Sequence, residues 1–138
     1  MKDVSAILGR TGLSAIFLLS GVGKLAAYAG TQQYMESQGV PGALLPLVIF
    51  AELGGGLAVL SGTLTRTAAI GLAIFSLVSA ALFHGNFADQ NQMIHFMKNV
   101  AIAGGFLTLA ANGPGAWSVD AWLARRKNVA PTLAKAAS

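Results

Sequence analysis

Apolar residues crowd into four stretches of this chain, Val4 to Ala26, Leu44 to Ser61, Thr67 to Phe83 and Ile94 to Ala111. Each is close to the ~20 residues that a helix needs to cross a bilayer core. Lipid supplies no partner for backbone N–H and C=O groups, so all four are predicted to be helical. The breaks fall between them. Gly39, Pro41 and Gly42 interrupt the chain after the first stretch, Gly62 closes the second, and Asn112-Gly113-Pro114-Gly115 stops the fourth. The tight link from Gly62 to Arg66 makes the second and third helices antiparallel neighbours. The expected fold is all-α, an integral membrane four-helix bundle over residues 1–115. Residues 116–138 follow as a short interfacial helix and a disordered basic tail that starts at Asn128. Ser118 is positioned to cap that helix, with Asp120 in its first turn and Trp117 and Trp122 at the membrane surface.

Composition supports a membrane solvent. Of the 138 residues, 54% are hydrophobic and 10% charged, against about 25% charged in a soluble domain. Mean hydropathy is +0.63. No cysteine is present, which excludes disulfides, thiolate chemistry and cysteine-held iron–sulfur clusters. The net charge of +4 is concentrated. Lys2, Arg66, Arg125, Arg126, Lys127 and Lys135 lie on the side of the termini, whereas the connections Tyr28 to Ala43 and Gly85 to Met93 carry no Lys or Arg. By the positive-inside rule both termini are expected in the cytoplasm. The basic run has no interleaved aromatic platform, so nucleic acid is not an expected partner. The first stretch has a rival reading as a cleaved signal peptide, with Ala27-Tyr28-Ala29 as the site. Lys24 just before that site and three closely following spans weigh against it.

Polar residues inside the spans carry the candidate chemistry. Glu52 lies about 12 Å below the far end of the second span. An ionisable group at such depth costs about 2.5–3.5 kcal/mol to insert, so it is expected to face a partner or a polar cavity. Lys24, His84, Gln92, His95, Lys98 and Asn99 lie at or near the same end of the other spans, while Arg10 lies in the half nearer the termini. Arg10 and Lys24 fall within about 40° of each other around an ideal helix, and Lys98 shares a helix face with Ile102 and Gly105. These faces are expected to converge. Glu52 is then open to an ion pair with Arg10, Lys24 or Lys98, which would be structural. Cations outnumber carboxylates inside the bundle, and that excess suits an anionic or carbonyl-bearing ligand, or a reduced quinone that gives up protons to Glu52 or His84. Metal and haem fit poorly. Glu52, His84 and His95 lack the spacing that sets ligands on one helix face, and the carboxylate set of a di-iron bundle is missing.

The ordered motifs resemble one family. Arg10-x-x-Leu13 leads into Ile16-Phe17-Leu18-Leu19-Ser20-Gly21 and Lys24-Leu25. Glu52-Leu53-Gly54-Gly55-Gly56-Leu57 follows, with Gly62 and Thr65-Arg66, then Phe83-His84, Gln92 and Phe96-Met97-Lys98-Asn99, and last Gly113-Pro114-Gly115 with Ser118 and Asp120. This series is similar to DoxX membrane proteins and covers the chain to about Asp120. The resemblance implies a four-helix protein of the bacterial inner membrane. Some members are linked to thiosulfate:quinone oxidoreduction, others to complexes that handle oxidative or thiol stress. This chain lacks the cysteine or extra soluble domain that sulfur chemistry needs, so such a role requires a partner subunit.

The leading expectation is a quinone-linked redox component, with Glu52 and His84 handling protons. Lys24, Lys98, Asn99, His95 and Gln92 would bind ligand, with Arg10 supporting from below. Its expected partners are the lipid bilayer, a quinone and a membrane or redox protein. One alternative is a non-enzymatic assembly subunit that docks through glycine-rich faces. Another is a small-solute or proton pathway, which four short helices would form only as a homo-oligomer.

Overall fold

The computed structural model describes residues 1–136, with side chains as far as residue 128. Four helices have the length and apolarity to cross a membrane. They are α1 (Lys2–Ala26), α3 (Leu45–Ser61, lengthened to Gly42 by a 3-10 turn), α4 (Thr65–Phe83) and α5 (Gln90–Asn112). Two more helices, α2 (Tyr28–Ser37) and α6 (Val119–Ala136), cover opposite ends, and no strand occurs among the described residues. The spans form a closed ring in which α1 packs on α3, α3 on α4, α4 on α5 and α5 on α1. The strongest packing is within the α1/α3 and α4/α5 pairs. The start of α1 and the segment that leads into α6 meet at one end of the bundle, here the terminal end. The connections α1–α3 and α4–α5 lie at the far end.

The core is made by a few large side chains set against small ones. Phe106 is fully buried, and its ring meets Phe17 edge-on at 5.4 Å. Val59, Ala69, Leu72, Ala73 and Ala103 complete the layer. Close approach relies on glycine. A Cβ on Gly21 would sit 2.7 Å from Leu53, and one on Gly55 would sit 2.9 Å from Leu72. Most remaining large apolar side chains, among them Leu19 and Phe50, point outward. That inside-out distribution is stable where the solvent is hydrocarbon.

The terminal end is tied by polar contacts between distant parts of the sequence. α3 ends at Gly62, whose φ of 73° is left-handed, and Thr63 N–H closes the turn on the Ala58 carbonyl at 2.9 Å. Leu64, at the start of α4, has a φ of 45° and no capping side chain of its own. Asp120 of α6 supplies the cap instead. Its carboxylate accepts hydrogen bonds from Leu64 N–H at 2.8 Å, Thr65 N–H at 2.9 Å and the Thr65 hydroxyl at 2.9 Å. Burial alone would raise the Asp120 pKa. The hydrogen bonds from Thr65 and Leu64, with the nearby Arg10 charge, outweigh it and hold the group below its ordinary value of 3.8. Arg10 is 5% exposed and donates to the Pro114 carbonyl at 3.0 Å and the Trp117 carbonyl at 2.9 Å. Asp3 accepts from Ala116 N–H at 2.7 Å. Ser118 caps α6 through Ala121 N–H at 3.2 Å.

Two elements differ from the sequence reading. The far connection after α1 is helical rather than a loop. Only Ala27 breaks the helix, and α2 then docks through Met35, 3% exposed, on Leu45 and Ile49. Tertiary packing decides that segment, because its own pattern is polar. At the other end α6 continues to Ala136, past Asn128, where the sequence reading ends order.

Gly62→Ala would force a left-handed alanine against Arg10 and Ser118. We expect about 1–3 kcal/mol of destabilisation, read as a lower unfolding temperature in detergent. The Asp120 cap has a defined pH signature. A depressed folded-state pKa means that its contribution is complete above about pH 4 and is lost as pH falls through the lower folded value. Acid titration of unfolding should therefore show wild type losing stability below about pH 4, and Asp120→Asn should be weaker at neutral pH with a shallower acid limb.

Candidate functional site

In the far half of the bundle α1 and α3 bring three polar groups together. Glu52 faces inward because it falls on the same face of α3 as Leu45, Ile49, Gly56 and Val59, all buried. Opposite it, Ser20 and Lys24 are one turn apart on α1. The Lys24 ammonium lies 2.9 Å from Glu52 Oε1 and donates to the Ser20 hydroxyl at 2.6 Å. Ser20 in turn donates to Glu52 Oε1 at 3.1 Å. Both contacts converge on a single carboxylate oxygen. The other, Glu52 Oε2, is buried and has no hydrogen-bond partner. The side chains differ in access, at 25% exposure for Lys24 and 5% for Glu52. The pair sits beside the Gly21–Leu53 contact, so the same glycine that lets α1 approach α3 brings the ammonium into reach.

Glu52, Ser20 and Lys24 stand on the wall of a cavity of about 610 Å³, within the size range of small-molecule sites. Its lining is mostly apolar. Phe17 and Phe75 form its floor towards the core. On the far side α2 contributes Tyr34 and Met35, with Tyr34 stacked on Phe83 at 5.7 Å. His84 and Asn99 add polar groups from α4 and α5.

The expected site residues divide into three groups. Lys24, Glu52, His84 and Asn99 all line this cavity. Gln92 and His95 stand behind His84. The Gln92 carbonyl oxygen is 2.7 Å from His84 Nδ1, and the His95 ring stacks on that of His84 at 5.0 Å. Arg10 and Lys98 are elsewhere. Arg10 is engaged by backbone carbonyls at the terminal end, so it neither pairs with Glu52 nor lies beneath the cavity. Lys98 is exposed in a separate shallow groove with Met93, Ile94, Met97 and Ala101. Its helix face does not converge as the shared register with Ile102 and Gly105 suggested. Its long stem lies over apolar neighbours, from which the ammonium can reach headgroup depth. Among the three cations open to Glu52, the partner is Lys24.

Sequence reasoning missed Ser20, although its spacing four residues before Lys24 was a usable signal. It also missed the cover supplied by α2. A Cβ added at Gly21, Gly55, Gly56 or Gly105 would meet Leu53, Leu72, Leu18 or Leu13 of the bundle itself, whereas one at Gly23 would meet nothing within 4 Å. No group of three or more His, Cys, Asp or Glu suited to a metal occurs among the described residues.

The DoxX family model matches residues 5–85, which include α1 from Ser5 onward, α3, α4 and the Lys24–Glu52 pair. The chain belongs to the DoxX family. It is 52% identical over 126 residues to inner membrane protein YqjF of Escherichia coli (strain K12), across 91% of this chain and 97% of that protein. It is 35% identical over 127 residues to inner membrane protein YphA of the same organism, across 86% of this chain and 90% of that one. No solved structure matches. The four apolar helices and these relatives make it a multi-pass protein of the bacterial inner membrane.

Removing Lys24 leaves a buried carboxylate without its cation. Lys24→Met should therefore cost about 3 kcal/mol, the lower part of the range for breaking a buried pair. Adding Glu52→Leu in the same chain should recover most of the loss. A double-mutant cycle on unfolding in detergent measures the coupling, and additive effects would mean that the pair is not formed.

Proposed function

We propose that this DoxX protein binds a membrane-dissolved quinol in its far-half cavity and takes up protons as the quinol is oxidised, acting with a partner that accepts the electrons. The observation that carries this reading is Glu52. It is 4% exposed, one oxygen is held by Lys24 and Ser20, and the other has no partner. A merely structural pair is stabilised by engaging both oxygens. A half-engaged one leaves an acceptor available to a ligand hydroxyl.

The surrounding groups suit a ring that bears oxygen at two ends. Lys24 and the Asn99 amide donate to ligand oxygens, and the apolar walls take the ring faces. Oxidation of a quinol to a quinone releases two protons and two electrons. Glu52 Oε2 receives one proton, and His84, backed by Gln92 and His95, receives the other. The electrons leave to an acceptor on the partner protein. The same reading sets both termini in the cytoplasm, on the side of Lys2, Arg66, Arg125, Arg126 and Lys127, with the cavity in the outer leaflet half. Packing favours a bound ligand over a continuous path, because Phe17, Leu72 and Phe106 fill the bundle between the cavity and the terminal end.

Glu52→Gln keeps the shape of the side chain and removes the proton acceptor. It should lower quinol oxidation in native membranes by about 100-fold or more while the protein, though less stable for the loss of the Lys24 ion pair, still folds and is recovered in detergent. Native mass spectrometry of gently purified protein should find a quinone on wild type and none on the variant. Unchanged turnover in Glu52→Gln would refute the proton role.

A further inference from the structure

The cavity exists because α3 and α4 part company. They are joined at the terminal end by the turn at Gly62 and touch closely where Gly55 meets Leu72. Beyond that contact they no longer fill the space between them. Leu47 and Ala51 on the α4 side of α3, and Val78, Ser79 and Leu82 on the α3 side of α4, line the cavity. Three of these are strongly exposed, Leu47 at 64%, Val78 at 50% and Leu82 at 49%. Side chains at this level of two spanning helices are solvated by hydrocarbon, so the exposed apolar rim opens on the bilayer interior. The far end is differently closed, because Tyr34 stacks on Phe83 and Met35 is buried against Leu45 and Ile49.

We infer that the gap between α3 and α4 is a lateral portal, which admits a long-tailed amphiphile from the bilayer and then seats its tail. The polar head passes Ala51 and Ser79 to reach Lys24 and Glu52, while the tail stays between Leu47 and Leu82. The identity of the head rests on the quinol reading above. The route and the tail do not. Two features make the gap more than a lipid-facing groove. It leads to Glu52, which lines the cavity and has one carboxylate oxygen buried without a partner, and it is continuous with the wall formed by Ser20 and Lys24. An annular lipid that only covers the outside of the bundle has no reason to reach Ala51 or Ser79, which are half-buried.

The test uses the full chain in nanodiscs of phosphatidylethanolamine and phosphatidylglycerol, with a long-chain fatty acid that carries a diazirine on the chain carbons next to its carboxyl group. After irradiation, peptide mapping should find adducts on Ala51 and Ser79. Val78→Trp, a change on the lipid-facing rim that leaves the core alone, should reduce them at least tenfold, and Leu47→Trp serves as an independent second block. Adducts confined to exposed positions such as Leu47 and Val78, or wall adducts that persist in both tryptophan variants, would overturn the portal. Competition separates the two readings. Loss of wall adducts on adding a long-tailed ubiquinone supports both. Wall adducts that ubiquinone does not displace leave the portal standing and remove the quinone. Binding of a short-tailed, water-soluble quinone that is lost in Glu52→Gln, without wall adducts from the fatty acid, leaves the quinone site standing and removes the portal.

Discussion

Hydrocarbon offers a polar group no partner, and most features of this molecule follow from how each buried polar atom is matched. Backbone groups are matched by helix formation. Side chains must find one another across helices, and they do so at two levels. At the terminal end Arg10, Asp120 and Asp3 bind backbone groups of distant segments. In the far half Lys24, Ser20 and Glu52 bind each other. The apolar layer of Phe17, Leu72 and Phe106 lies between these levels and keeps them independent.

The carboxylates at the two levels differ in how far they are matched. Asp120 uses both carboxylate oxygens on the start of α4. Glu52 has the same functional group and uses one. The first is the pattern of a structural fastening. The second, on a residue that lines a cavity of about 610 Å³, is the observation on which the proposed quinol site rests.

Periodicity and length were enough to read the four spans, and burial cost alone singled out Glu52. The motif series also pointed to the family. What escaped the sequence depends on contacts between segments far apart in the chain. α2 has no apolar period of its own and is helical because Met35 finds a pocket made by α3. Lys98 shares register with inward residues, yet its position near the end of α5 and its flexible stem carry it outward. Arg10 was judged by depth and charge as a partner for Glu52. Its true partners are carbonyl oxygens, which every residue has and no composition reveals. Asp120 was read as a residue of its own helix, and its main work is on another. Pair geometry of this kind is set by tertiary arrangement, so local patterns are silent on it.

The fastening at the terminal end also sets an order of events during synthesis. Arg10 belongs to the first helix made, and its hydrogen-bond acceptors, the carbonyls of Pro114 and Trp117, are made more than a hundred residues later. α4 waits for Asp120 across a separation of 55 residues. Until that last stretch leaves the ribosome, a guanidinium in the membrane and an uncapped helix start have only water, lipid headgroups or an insertion factor to rely on. The bundle is therefore completed from its tail. A nascent chain halted before Pro114 holds all four spans but lacks what secures the first and third of them.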